Sequence, residues 1–150
     1  TWVAPLDLNF VKQIAEVRLP LEKLAGELAV ERISAEQMEL LEQILEKAES
    51  DESYDVEDLQ ELIKYESDFH HTIYAATHNE KLEELLIEFQ SVSSRLWHSI
   101  FFTKEHLRKI FKDHRDIFDA LKKHQAKLCG ELLVKHTQAY FNGVKGLNKP

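Results

Sequence analysis

The chain has 150 residues, 43% hydrophobic and 31% charged, which suits one globular domain with a substantial core and excludes both disorder and a pair of ordinary domains. Its formal net charge of −8 scatters 19 basic residues among 27 acidic ones, so this stretch lacks the clustered Lys and Arg on which affinity for a phosphate backbone rests. A single cysteine, Cys129, excludes an internal disulfide and points to a reducing, cytoplasmic setting, and no apolar run approaches the ~20 residues of a membrane span.

Four Gly and three Pro leave little punctuation for hairpins, and the chain reads as six helices. From about Leu8 to Arg32, the spacing of Ile14, Val17, Leu21, Leu24 and Leu28 predicts one face turned to a core, with a kink or restart at Pro20. Ser34 and Gln37 form a capping box that opens a second helix through Met38, Leu41 and Leu45, ending in the acidic stretch "ESDESYD". Asp55 caps a third helix running to about Thr77. Asn79 caps a fourth, with Leu82, Leu85, Leu86, Phe89, Leu96 and Ile100 inward. Thr103 caps a fifth carrying Leu107, Ile110, His114, Ile117 and Leu121, and a sixth spans about Gln125 to Val144 with Leu128, Leu132, His136 and Tyr140 in register. Short links between long amphipathic helices imply an all-α, antiparallel bundle.

The eight histidines separate by face. His70, His114 and His136 fall within apolar stripes on the third, fifth and sixth helices, and Glu66 lies one turn before His70, where side chains project side by side. His71, His78, His98, His106 and His124 read as surface or boundary residues. One inward histidine alone is ordinarily a core residue bonded to a carbonyl or hydroxyl. Three with a carboxylate are harder to satisfy that way, since an unpaired buried polar group costs roughly 1–3 kcal/mol. One divalent cation would satisfy all four, and imidazole nitrogens with a carboxylate oxygen suit zinc first, with nickel, manganese or iron as alternatives.

These residues also resemble a family. Glu66 followed by "FHHTIYAATHN" is similar to the D-x-x-F-H-x-x-[IL]-x-x-A-x-x-N motif of the FCD (FadR C-terminal) ligand-binding domain of GntR-type transcriptional regulators, with Phe69, His70, Ile73, Ala76 and Asn79 in register. "EVRLPLEKLAGELAVERIS", from Glu16, resembles that domain's opening E-x-R-x-x-[LI]-E-x-x-A-A-x-L-A-A segment. "DHRDIFDALKKHQAKLCGELLVKH", from Asp113 to His136, resembles its E-H-R-x-I-x-x-A-I stretch with a histidine 22 residues on. The resemblance implies a bundle of six to seven helices with a central effector cavity. It also implies a divalent metal held by one acidic residue and three histidines, here Glu66, His70, His114 and His136. Two positions depart from the pattern: Glu66 stands for the usual Asp, and His124-Gln125 for the usual Gly-Asp turn.

The family's members carry an N-terminal winged helix-turn-helix, absent from this sequence. Residues 1–150 are therefore expected to be the effector-binding and dimerising part of a longer regulator, with DNA contacted only through the absent segment. Arg18, matching the arginine of E-x-R, is a candidate clamp for a small carboxylate effector, or else an ion-pair partner of Glu22 one turn on. Arg95 is a second ligand-binding candidate, or an interfacial residue. Tyr74, Trp97 and Tyr140 are candidates to line the cavity, or ordinary packing. The alternatives are a metal-dependent enzyme and a metal-free interaction module. Neither H-E-x-x-H nor paired E-x-x-H occurs, and Asp68 and Asp113 read as turned to other faces.

Overall fold

A computed structural model describes residues 7–50, 59–97 and 103–146. Among them it contains six helices and no strand: α1 (Leu8–Arg32), α2 (Ala35–Ser50), α3 (Leu59–Ala76), α4 (Glu80–Trp97), α5 (Lys104–Lys122) and α6 (Ala126–Gly146). Asp55, Ile100 and the side chain of Trp97 lie outside the described residues. No described helix is long and apolar enough to cross a membrane.

Local chemistry sets the helix ends. Asp7 Oδ1 accepts from the backbone N–H of Asn9 and Phe10, starting α1. The expected capping box of α2 is reciprocal: Gln37 N donates to Ser34 Oγ at 3.1 Å, and Ser34 N to Gln37 Oε1 at 3.0 Å. Asn79 Oδ1 accepts from Leu82 N, and Thr103 Oγ1 from His106 N. His124 takes a left-handed φ of 58°, and Gln125 N donates back to Ala120 O. That is a Schellman closure of α5 with histidine in a position that favours glycine.

Helix α1 is continuous through Pro20, which excludes the restart of the two expected outcomes, and its core face is not wholly the expected one. Its core face is Val11, Arg18, Glu22, Ala25, Gly26, Ala29 and Val30, whereas Phe10, Val17 and Leu24 are 50%, 53% and 40% exposed. Of the expected stripe, Ile14, Leu21 and Leu28 are half-buried against the core clusters, while Val17 and Leu24 face outward. Small residues take the core side because α6 approaches closely. A Cβ at Gly26 would lie 2.8 Å from Gly130 Cα, and Val11 clusters with Phe141, so the two helices run antiparallel. Leu85 on α4 and Leu128 on α6 are also exposed, contrary to expectation, and α6 instead buries Cys129, Leu133 and Phe141.

The main core joins α1 through α6, with Ala25, Leu41, Leu45, Phe69, Ile73, Leu86, Ile117, Leu121 and Leu133 buried in one cluster. Helices α3, α5 and α6 meet within it, which places their inward polar residues together.

Candidate metal centre

Glu66 and His70 sit one turn apart on α3, His114 comes from α5, and His136 from α6. One ligand atom from each lies within 4.8 Å of all the others. Glu66 Oε1 is 3.0 Å from His70 Nε2 and 3.8 Å from His136 Nε2, Oε2 is 2.6 Å from His114 Nε2, and the Nε2 atoms of His114 and His136 are 3.3 Å apart. All three histidines are buried, and Glu66 is 13% exposed. The longer Glu66 side chain thus reaches the cluster with both oxygens. The surrounding side chains orient the rings. Phe69 stacks on His114 with centroids 4.2 Å apart, and His70 stacks on His136 at 5.3 Å.

The charge state follows from the neighbours. Burial would raise the Glu66 carboxyl, but His70 and His114 together outweigh it and hold the group well below the usual carboxylate range. Burial lowers His114 to about 4, against the pull of Glu66. His136 rises to about 9: burial opposes its protonation, but the hydrogen bond to Asp113 and the nearby Glu66 carboxylate outweigh it.

Asp113 corrects the sequence expectation. Its Oδ2 lies 3.1 Å from His136 Nδ1, so this carboxylate is turned to the back of a ring whose Nε2 faces the cluster. When a cation displaces the Nε2 proton, such a carboxylate–histidine pair keeps the remaining proton on Nδ1 and leaves Nε2 free to ligate.

The donor set fits a divalent cation. Glu66 Oε2 lies 2.6 Å from His114 Nε2 yet makes no aligned hydrogen bond, and the Nε2 atoms of His114 and His136 face each other at 3.3 Å beside it. Lone pairs directed at one shared point, rather than donors at acceptors, are what a metal requires.

Next to this cluster lies a second buried polar group. Arg18 is 4% exposed; its Nε donates to Glu22 Oε1 at 3.1 Å and its Nη1 to Ser93 Oγ at 2.6 Å. The ion pair with Glu22 is therefore formed. Tyr74 donates to the same Glu22 oxygen at 2.6 Å, and its ring lies 6.0 Å from that of His70. Tyr140 donates to Ser93 O, and Arg18 lies over the Phe141 ring. Glu22, Ser93 and Asp113 were missed as functional candidates; each is tied to its neighbours across helices, where spacing on a single helix carries no signal. Arg95 is not brought in: it is exposed in the last turn of α4.

Comparison with known proteins identifies the family and the fold. The family model of the FCD domain matches residues 13–139. An uncharacterized HTH-type transcriptional regulator, YdhC of Bacillus subtilis strain 168, is 30% identical over 141 residues, covering 93% of this chain. The chain spans 60% of that relative's length. Among solved structures, E. coli McbR/YncC superposes with a TM-score of 0.83 at 20% identity, over 97% of this chain and 72% of that one. Streptococcus agalactiae GntR gives 0.69 at 20% identity, over 93% and 62%. At that identity the two structures establish the fold.

Proposed function

The chain belongs to the FCD domain family of GntR-type transcriptional regulators, and from that premise we propose that it senses a small organic acid through a divalent metal held by Glu66, His70, His114 and His136. The observation that carries this is the convergence of four ligand atoms from three helices within 4.8 Å. Zinc is the first choice of ion, with nickel, manganese or iron accepted by the same donors. When bound, such an ion keeps one or two coordination positions for a carboxylate oxygen of the effector.

The chain's own residues do the rest. Asp113 holds the His136 ring with its Nε2 inward, and Phe69 holds His114. Arg18 has five N–H donors, so it can keep Glu22 and Ser93 and still donate to the effector. Arg95, exposed, is left out of that set. Closing α1 and α4 onto an acid bound at the ligands of α3, α5 and α6 would favour one arrangement of the bundle over another, the differential affinity that a switch needs.

In the full-length protein this shift would reposition N-terminal winged helix-turn-helix segments in a cytoplasmic homodimer. The apolar stripe of Phe10, Val17 and Leu24 on α1 supplies a surface for that dimer. A regulatory role is favoured over an enzymatic one because the matched relative is a transcriptional regulator and the Asp113 carboxylate is already engaged by His136.

A thermal-shift screen of small carboxylic acids, run with and without a strong chelator, tests the proposal. At least one acid is expected to raise the melting temperature only while the metal is retained. Stabilisation that is indifferent to the chelator would separate acid binding from the metal and overturn it.

A further inference from the structure

We propose, resting on the metal reading above, that Glu66 grips the ion with both carboxylate oxygens and thereby sets the choice of ion, favouring zinc over nickel. The carboxylate is shared out among the three rings. Oε1 is 3.0 Å from His70 Nε2 and 3.8 Å from His136 Nε2, while Oε2 is 2.6 Å from His114 Nε2. Two donors each about 2.1 Å from one ion lie no more than about 4.2 Å apart, and all three separations fall inside that limit. Oε2 is itself buried and accepts no aligned hydrogen bond among the described residues. Asp113 holds His136 from behind, at Nδ1, so its own carboxylate stays outside the donor set.

A ring nitrogen that ligates has given up its proton. Nothing is then left between His114 Nε2 and Glu66 Oε2 to hold two lone pairs 2.6 Å apart, and His70 Nε2 meets Oε1 in the same way at 3.0 Å. An ion on Oε1 alone would leave Oε2 buried beside the His114 lone pair with no donor, the costly state for a carboxylate oxygen. An ion on Oε2 alone would leave Oε1 against His70. Contact with both oxygens relieves both pairs. The choice of ion follows from the shape of that grip. Two oxygens of one carboxylate subtend an angle at the ion far narrower than the right angles of a regular octahedron or square. Zinc has a filled d shell, no geometric preference of its own, and expands to five ligands. Nickel prefers square or tetragonal sets of nitrogen and oxygen donors, so the narrow pair costs it affinity that zinc keeps.

X-ray absorption of the zinc-loaded chain, joined to a competition between zinc and nickel, tests this with Glu66→Asp alongside. The wild-type spectrum is expected to show the carboxylate carbon at the short distance from zinc that only a two-oxygen contact allows. In Glu66→Asp, one methylene shorter, that feature is expected to vanish and the preference for zinc over nickel to fall about tenfold, the margin of one buried polar contact. Zinc held through a single Glu66 oxygen in the wild type would overturn the assignment, as would a zinc-to-nickel preference unchanged in Glu66→Asp. The wild-type spectrum decides the matter if the variant does not fold. Failure of the wild-type chain to bind either ion would instead remove the metal centre itself.

Discussion

Asp113 is the residue on which the geometry of the His136 ring turns. Its carboxylate lies 3.1 Å from His136 Nδ1, whereas the Nδ1 atoms of His70 and His114 have no partner among the described residues. Outer carboxylates of this kind are worth about 10–100-fold in metal affinity. Asp113→Ala is therefore expected to weaken zinc binding by roughly that factor in competition with a chromophoric chelator, and Asp113→Asn, which keeps an acceptor, to lose less. Unchanged affinity in both variants would mean that stacking on His70 alone sets the ring. The four candidate ligands were legible because each repeats the apolar period of its own helix. Asp113 was not, because it sits beside that stripe on α5 and gains its role only from α6.

At the scale of elements, α1 and α6 bind each other through a glycine contact. A Cβ at Gly26 would come within 2.8 Å of Gly130 Cα and N and 2.9 Å of Leu133 Cδ1, and one at Gly130 within 2.8 Å of Lys23 O. Backbone cannot yield as a flexible side chain can. Gly26→Ala is expected to cost about 1–3 kcal/mol in denaturant unfolding, and a neutral result would show that the helices separate freely. Helix existence and the caps at Ser34, Asn79 and Thr103 followed from the sequence because they are local. The facing of α1 did not, since its core side carries Arg18, Glu22 and small residues chosen for close approach, and its larger apolar residues point outward.

At the scale of the whole molecule, that outward stripe is uncovered among the described residues. Phe10, Val17 and Leu24 recur every seven positions, the spacing of a seam between helices, with Ile14, Leu21 and Leu28 half-buried alongside. If this is the dimer contact, Val17→Asp is expected to yield a monomer in sedimentation equilibrium while the helical circular dichroism is kept. A dimer that persists unchanged would place the interface elsewhere.

The proposed metal is the centre of the account, and an ion bound by the native state alone would be a source of stability. An ion at a hundredfold its dissociation constant adds about 2.7 kcal/mol, which for a chain of this length corresponds to roughly 5–10 °C in melting temperature. The most direct measurement is elemental analysis of the purified chain coupled to its melting curve before and after chelation, with His114→Ala in parallel. About one divalent ion per chain is expected, with a fall of that size on chelation, reversal by added zinc, and no response to chelator or zinc in His114→Ala. A chain that carries no stoichiometric metal and melts at the same temperature with chelator or with zinc would contradict the account.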